Sequence, residues 1–231
     1  VGTDKPGDIR ELAKWLHPDI VIVTKLSEVP VHVEAFATKE DLFEEKGYLV
    51  KALKTHGTLI LNADDKDVVA YRNTSPEKVM LFGNSSGTDI SATDYAVEYE
   101  EKKPIGISFN IEGHKVSLKG TLGKQHVEHA LAALCVIKLL GYDLNGAIKG
   151  LSRETPTAGR MRLVEGIKSS VLIDDTYNSS PIAVEEALKS LKFLKTKRKI
   201  ANLGDMLELG RYAVDEHKKV GEKAAKVVDV L

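Results

Sequence analysis

The feature that most constrains the fold is an alternation of short apolar runs with helical patterns in the first third of the chain. Three runs, Ile20 to Thr24, Thr58 to Asn62 and Lys78 to Phe82, are mostly apolar, which predicts buried strands. Between them, apolar residues recur at helical spacing from Lys39 to Lys54 and around Asp65 to Asn73. Strands that alternate with helices form βαβ units, so the pattern predicts an α/β fold with a parallel sheet.

A different pattern occupies the middle of the chain. Three segments alternate apolar and polar residues, which predicts antiparallel hairpins. They are Tyr95 to Tyr99, Ile105 to Ile111 and His114 to Leu118, with Glu112-Gly113 as the turn between the last two. Two helical patterns follow, Val127 to Leu140 and Leu144 to Leu151. A hairpin section and a helix pair are therefore expected after the parallel sheet.

A linker then precedes a second βα region. Ser152 to Gly159 is the best linker candidate because it holds Thr155-Pro156-Thr157-Ala158, a run of turn-forming residues. We therefore divide the chain into two domains, residues 1–157 and 158–231. The elements predicted in the second domain are a strand at Val171-Leu172-Ile173, a helix from Ile182 to Leu194, a strand from Ile200 to Leu203 and a helix from Tyr212 to Val228.

Two polar loops follow the predicted strands of the second domain. Asp174 to Pro181 has the sequence DDTYNSSP, and Gly204 to Gly210 has the sequence GDMLELG. Ligands of open α/β sheets bind outside the carboxyl ends of the strands, which is where both loops begin. The alternative is that these are ordinary turn and N-cap residues.

The composition and net charge limit the classes of molecule that this protein is expected to bind. Lys and Arg number 33 and Asp and Glu number 34, for a net charge of -1, so no attraction to nucleic acid or to an acidic membrane surface is expected. No apolar run approaches the ~20 residues that span a bilayer, so we expect no membrane insertion. The single cysteine, Cys135, cannot form an internal disulfide, which favours a reducing, cytoplasmic location.

Both ends of the chain predict that it is a fragment. It opens on Val1-Gly2-Thr3 and enters a predicted helix, Pro6 to Leu16, whose partner strand would lie upstream. It closes on Val227 to Leu231, where a helix or the next strand would continue.

Five segments together resemble the Mur ligase family, in the order in which the family carries them. They are His32-Val33-Glu34 to Lys46-Gly47, Asn62-Ala63-Asp64-Asp65, Gly159-Arg160-Met161, Asp174 to Pro181 and Gly204 to Gly210. The resemblance covers essentially the whole chain. It implies that residues 1–157 are the C-terminal portion of the central ATP-binding domain, and that residues 158–231 begin a Rossmann-like C-terminal domain. The family's N-terminal domain and phosphate loop, and the end of its C-terminal domain, would lie outside this chain.

The resemblance also implies an activity. Mur ligases form an amide bond at the expense of ATP, with magnesium and through an acyl phosphate. The pair DDTYN and GDMLELG resembles the members that add D-alanyl-D-alanine to a UDP-N-acetylmuramoyl tripeptide in peptidoglycan synthesis. We accordingly expect ATP and Mg²⁺ as cofactors, the UDP-muramyl tripeptide and the dipeptide as partners, and a monomer. The fragment alone is expected to be inactive.

A metal site is implied at Lys46 and His32. The family's lysine at the position of Lys46 is commonly carbamylated, which turns a cation into an oxygen ligand for magnesium, and the family's histidine lies at the same site. The alternatives are a solvated helix lysine and an exposed surface histidine.

The segment Gly120 to Gln125 is not a phosphate loop. That pattern requires glycine where Leu118 stands and Ser or Thr where Gln125 stands. Gln125, His126 and His129 instead align with the family's adenine-side run, with histidines in place of the expected asparagines. A helix N-cap and helix face would explain these residues equally well.

The remaining roles also come from the resemblance. Arg160 would reach the γ-phosphate, with an interdomain salt bridge as its alternative. Asn62 and Asp65 would lie near the nucleotide, or simply cap a helix. Asp174 would accept hydrogen bonds from the ribose. Asp175, Tyr177 and Asn178 are expected to meet nucleotide or peptide substrate. Asp205 and Glu208 are expected to organise the second loop or to meet the incoming dipeptide, whereas His217 is expected on the surface.

Two rival functions stay open. One is another Mur-type or folylpolyglutamate-type ligase, which the sequence of the loop from Asp174 to Pro181 disfavours. The other is a non-catalytic nucleotide-binding module derived from such a ligase, supported by the altered positions at His126 and His129.

Overall fold

The computed structural model describes residues 1–26, 35–36, 38–74 and 78–231. These residues form two compact units, each assembled from separate stretches of the chain. The first unit comprises Val1–Ala92, Glu128–Leu144 and Glu208–Gly210, and the second comprises Thr93–Val127, Asn145–Leu207 and Arg211–Leu231. The domain boundary between residues 157 and 158 stays a prediction.

The first unit is built on a parallel sheet, as the alternation of strands and helices predicted. Its elements are α1 (Asp8–Ala13), β1 (Ile20–Val23), α2 (Lys39–Lys51), β2 (Thr58–Asn62), α3 (Lys66–Ala70) and β3 (Lys78–Phe82). The strand order is β1-β2-β3, and both pairs are parallel. All five residues of the central strand β2 are buried, as expected for a parallel strand that is covered on both faces.

The core of this unit joins the sheet to helix α2. Leu59 and Leu61 of β2 pack in one buried cluster with Val50 of α2. The fully buried Tyr71 stacks on Phe43 with ring centroids 4.2 Å apart. Its hydroxyl donates to the Phe43 carbonyl oxygen at 2.7 Å. The orientation of α2, and hence of the residues it carries, is therefore fixed by core contacts.

Helix α1 is capped by a side chain from α2. Gly7 occupies the N-cap position and provides no side chain. The buried carboxylate of Glu45 instead accepts the backbone N–H groups of Gly7 at 2.9 Å, Ile9 at 2.7 Å and Arg10 at 3.2 Å. Since the first N–H groups of a helix lack partners within it, Glu45 ties α1 to the helix that carries Lys46.

The second unit contains the predicted hairpins. Strands β4 (Thr93–Glu100), β5 (Lys103–Ile111) and β6 (His114–Lys119) form an antiparallel sheet in that order. Glu112 and Gly113 both have positive φ, 48° and 81°, as the two central residues of a type I′ turn require. Helices α4 (Gln125–Leu139), most of which belongs to the first unit, and α5 (Leu144–Leu151) follow along the chain. The hairpin and helix predictions for this stretch are confirmed.

The end of the chain differs from the prediction in two places. Strand β7 (Arg162–Glu165), which the sequence did not predict, pairs antiparallel with β8 (Val171–Asp174). The predicted strand from Ile200 to Leu203 is wrong in its extent, since only Ile200 forms a bridge, parallel to Val230. An extended segment becomes a strand only where a neighbour pairs along it, and this pairing stops at the Ala201 amide.

Helices α6 (Pro181–Phe193) and α7 (Ala213–Ala224) lie where helices were predicted. Ser180 caps α6 by accepting the Ala183 N–H, and Pro181 occupies the first turn, where its missing N–H costs nothing. Each helix of the described ranges is too short or too polar to traverse a bilayer.

Candidate functional site

The candidate site is a clasp between two backbone segments of the second unit, Gly159 to Met161 and Asp174 to Tyr177. The Gly159 N–H donates to Oδ2 of Asp174 at 3.0 Å, and the Tyr177 N–H donates to the Gly159 carbonyl oxygen at 3.2 Å. The Met161 N–H donates to Oδ1 of Asp175 at 3.1 Å. These bonds hold the turn that carries Arg160 against the loop that follows β8. We call these two segments the clasp.

Only glycine fits at position 159. Its φ is +71°, which residues with a Cβ rarely adopt, and a Cβ there would lie 2.9 Å from the backbone nitrogen and the Cβ of Tyr177. The close approach of the two segments therefore depends on this glycine.

The two adjacent carboxyl groups of the clasp are in opposite electrostatic environments. A hydrogen bond from the Thr176 hydroxyl, at 2.7 Å, and the bond from the Gly159 N–H lower the pKa of Asp174. Burial raises the pKa of Asp175, and the Met161 N–H only partly offsets this effect. Asp174 is thus the stabilised anion of the pair, and ionised Asp175 is disfavoured.

The side chain of Arg160 lies over an aromatic ring. Its guanidinium carbon lies 4.3 Å from the centroid of the Tyr177 ring, and both side chains are exposed. Arg162 forms the salt bridge of this region, with its Nη2 3.4 Å from Oδ2 of Asp174. Asn178, the next residue of the loop, is also exposed.

His126 is linked to the clasp through Thr121. The buried Thr121 hydroxyl lies 2.8 Å from Nε2 of His126 and 3.3 Å from the Met161 carbonyl oxygen. One hydroxyl proton cannot serve both contacts, so the bond to Met161 requires that Nε2 carries the proton. His129 is exposed one helical turn further along α4. The structure thus gives His126 a structural partner, and its adenine contact stays a prediction.

Asn62 and Asp65 lie together at the carboxyl end of β2, in the first unit. The buried Asn62 amide donates to the Thr24 carbonyl oxygen at 3.0 Å, and its oxygen accepts the Asp64 N–H at 3.0 Å. Asp65 caps α3 through Oδ1, while its Oδ2 accepts the Leu26 N–H at 3.0 Å. The capped helix start, which was the alternative for this pair, is present. A contact with the nucleotide stays a prediction.

Lys46 lies half-buried on α2, and burial lowers the pKa of its amine. His32 lies outside the described residues. Within the ranges that the structure describes, no three His, Cys, Asp or Glu side chains are grouped so that they could hold a metal ion. The metal site at Lys46 and His32 therefore stays a prediction.

The second polar loop is fastened to α7 by a histidine. Nε2 of His217 accepts the Met206 N–H at 3.0 Å and lies 3.6 Å from Oδ1 of Asp205. His217 is partly exposed, as expected of a surface histidine, but its ring is also bonded to the loop. Asp205 itself is exposed, and Glu208 adopts a positive φ of 62°.

The structure brings several predicted residues together inside the second unit. Arg160, Asp174, Asp175 and Tyr177 meet in the clasp. Sequence reasoning missed Arg162 and Thr121. Arg162 could have been found from the sequence, because it lies two residues from the predicted site residue Arg160. Thr121 could not, because its partner Met161 is forty residues away in sequence.

Two family models match this chain. The model of the Mur ligase middle domain matches residues 1–137. The model of the Mur ligase glutamate ligase domain matches residues 159–231.

Curated relatives carry the name UDP-N-acetylmuramoyl-tripeptide--D-alanyl-D-alanine ligase. The Bacillus subtilis protein is 28% identical over 223 residues, which are 96% of this chain and 47% of the relative. The Escherichia coli protein is 27% identical over 238 residues, covering 100% of this chain and 51% of the relative. The chain spans about half the length of the curated relatives it matches.

Solved structures share the fold. The MurF ligase of Thermotoga maritima, crystallised in complex with ADP, matches with a TM-score of 0.84 and 28% identity over 98% of this chain and 51% of that one. A MurF structure from Acinetobacter baumannii matches with a TM-score of 0.85 at 23% identity, covering 98% of this chain and 48% of that one. These likenesses confirm the predicted fold class.

Proposed function

Because this chain belongs to the Mur ligase family, we propose that the complete product of its gene is an ATP- and Mg²⁺-dependent ligase that joins D-alanyl-D-alanine to a UDP-N-acetylmuramoyl tripeptide. The names of the curated relatives state this activity for those proteins, and one relative was crystallised with ADP. Both sequence loops that resemble this kind of ligase are present. We place the reaction in the cytoplasm and propose a monomer.

The proposed reaction has two steps. A carboxylate oxygen of the tripeptide attacks the γ-phosphorus of ATP, and the bond from that phosphorus to the ADP oxygen breaks, so that ADP leaves with the electron pair. The dipeptide amine nitrogen then attacks the acyl carbon, the carbon–oxygen bond to phosphate breaks, and the nitrogen loses its proton. Such chemistry needs positive charge at the γ-phosphate oxygens and exclusion of water from the acyl phosphate.

The observation that carries the proposal is the clasp, because it presents a cation and an anion on backbone that is held in place. The exposed Arg160 guanidinium provides a planar donor set suited to two phosphate oxygens. The Asp174 carboxylate is held in place by hydrogen bonds from Gly159, Arg162 and Thr176. The lowered pKa keeps this carboxylate ionised, and we propose that it accepts a hydrogen bond from the ribose of ATP.

The other nucleotide and substrate contacts belong to the same proposal. Asn62, Asp65, His126 and His129 are assigned to the nucleotide. The residues assigned to the peptide substrates are Asp175, Tyr177, Asn178, Asp205 and Glu208.

Lys46 is compatible with the proposed magnesium site. Carbon dioxide reacts with the neutral form of an amine, and burial favours that form at Lys46. A carbamate there would provide oxygen atoms, the ligands that Mg²⁺ prefers, with His32 as the second proposed member of the site. When bound, the ion would neutralise charge on the phosphate oxygens.

A substrate panel tests this proposal. The complete gene product is incubated with ATP, Mg²⁺, UDP-muramyl tripeptide and, in turn, D-alanyl-D-alanine, single amino acids and glutamate with a folate acceptor, while ADP release is measured. Release that depends on both the tripeptide and D-alanyl-D-alanine supports the proposal. Release with a single amino acid or with the folate acceptor identifies a different ligase, and no release with any pair identifies a non-catalytic module.

A further inference from the structure

The exposed pair formed by Arg160 and Tyr177 has no packing role in the core. Tyr177 is 73% exposed, yet its ring lies under the Arg160 guanidinium at 4.3 Å. Cation–π contacts extend to about 6 Å from the ring centroid. The ring is therefore well placed to interact with the positive charge of Arg160, while most of the tyrosine side chain is exposed to solvent.

The backbone fixes the relative position of these two side chains. The Tyr177 N–H bonds to the carbonyl oxygen of Gly159, the residue before Arg160, and the Gly159 N–H bonds to Asp174. A side chain at position 159 would push this contact apart. The backbones of Arg160 and Tyr177 are thus held close together, so the contact between their side chains needs little further ordering.

The Tyr177 ring lies on one side of the Arg160 guanidinium carbon, so donors of the guanidinium that point away from the ring are available. The five N–H donors of arginine lie in the plane of the group. Within the part of the chain that the structure describes, no carboxylate forms a salt bridge with Arg160. Asp175 acts on Arg160 only through the longer-range attraction between their charges. A ring on one side of the guanidinium can therefore hold the group in position while donors remain for a phosphate.

We propose that Tyr177 is a positioning residue, whose ring holds the Arg160 guanidinium in the orientation in which its edge receives the phosphate that is transferred. The inference rests on the proposed function, since it assigns Tyr177 a role in the same step. On this proposal, Tyr177 contributes to turnover mainly by positioning Arg160, and not by contacting the substrate directly.

The test is a double-mutant cycle in the complete gene product, with kcat and the KM values for ATP and for both peptide substrates. The variants are Tyr177→Leu, Tyr177→Phe, Arg160→Ala and the double variant Arg160→Ala with Tyr177→Leu. Tyr142→Leu is the matched control, because Tyr142 is also an exposed tyrosine but lies outside the clasp. Side-chain NMR of Arg160 reports ring-current shifts in the same proteins.

We expect Tyr177→Leu to lower kcat about two- to fivefold, the range that corresponds to ~0.5–1 kcal/mol for an exposed cation–π contact. Tyr177→Phe restores kcat and keeps the ring-current shift of Arg160, and Tyr142→Leu matches the wild type. In the Arg160→Ala background, Tyr177→Leu has no further effect on kcat. These results support a role of Tyr177 through Arg160.

Other outcomes overturn the inference. An equal loss of kcat for Tyr177→Leu with and without Arg160 would show that the ring acts on the substrate directly, as would a rise in peptide KM with unchanged kcat. A wild-type protein that turns over, with unchanged or raised kcat in Tyr177→Leu, rejects the inference alone. A wild-type protein without turnover rejects the proposed function and this inference with it.

Discussion

The ring of His217 accepts the backbone N–H of Met206 at 3.0 Å, through its Nε2 atom. Because Nε2 is the acceptor, the proton of the neutral ring is on Nδ1, which lies 2.7 Å from the Ala213 carbonyl oxygen and donates to it. One histidine thus joins helix α7 to the loop that begins at Gly204. Asp205, a proposed substrate residue, is the neighbour of the anchored amide.

Removing this acceptor should loosen the loop. We expect His217→Ala to speed hydrogen exchange at the Met206 amide about fivefold, since a single hydrogen bond contributes roughly 1 kcal/mol. Exchange followed by NMR or mass spectrometry measures this directly. His114→Ala, at an exposed position on β6, is the control and should leave Met206 unchanged. Equal exchange in both variants would show that His217 does not hold the loop.

Gly159 and Gly141 form a matched pair for testing the clasp. Their φ values are +71° and +72°, but a Cβ at Gly141 would meet nothing within 4 Å. Gly141→Ala should lower the free energy of unfolding by about 1–2 kcal/mol, the cost of a left-handed residue with a Cβ. Gly159→Ala should cost roughly 2 kcal/mol more, from the clash with Tyr177.

Chemical denaturation of both glycine variants measures the difference. Similar losses for the two variants would mean that Gly159 does not lie against Tyr177 as closely as the structure shows.

The sequence predicted the parallel sheet well because its signals are local. Thr58 to Asn62 is an apolar run of strand length, and the structure places β2 at these residues. Strand β7 was missed because Arg162 to Glu165 is short and carries charge at both ends, so only its pairing with β8 makes it a strand. The strand predicted from Ile200 to Leu203 was too long, because an apolar run does not reveal whether another strand lies beside it.

The two carboxyl groups of the clasp should affect stability with opposite signs. The pKa of Asp174 lies below its ordinary value of 3.8. Its ionised form therefore stabilises the fold above that value, and this contribution is lost as the pH falls through the lower folded pKa. The pKa of Asp175 lies above 3.8, so its ionisation destabilises the fold as the pH rises through that value and the raised folded pKa.

Asp174→Asn and Asp175→Asn test these signs, with unfolding free energies measured from about pH 2 to about pH 7. Asp174→Asn should be less stable than the wild type at neutral pH, and the difference should shrink on acidification. Asp175→Asn should be more stable at neutral pH, and its advantage should also vanish in acid. Curves of the same sign for both variants would contradict the environments assigned to these groups.

The proposed metal lysine is tested against a neighbour on the same helix. In the complete gene product, Lys46→Ala should lower ADP release at least about tenfold, a loss of 1.36 kcal/mol or more in transition-state stabilisation. Lys51→Ala, at an exposed position of α2, should change it little. If Lys46→Ala turns over as fast as Lys51→Ala, Lys46 does not belong to the metal site.

The candidate site was less predictable than the fold, because its contacts join distant residues. The sequence identified Arg160 and Asp174 through motif resemblance, and the structure places both in the clasp. It gave no indication that Thr121 would link His126 to Met161, or that His217 would reach Met206. The position of Asp65 before a helix was equally compatible with a nucleotide contact and with a helix cap, and only the structure shows the cap.

If Arg160 acts on the transferred phosphate, its loss should lower turnover and leave stability unchanged. Arg160→Ala and the control Arg153→Ala, at another exposed arginine, are assayed in the complete gene product for kcat of ADP release and for Tm. We predict that Arg160→Ala loses at least about tenfold in kcat with a Tm close to that of the control. A lower Tm with unchanged kcat would show that Arg160 has a structural role and does not act on the phosphate.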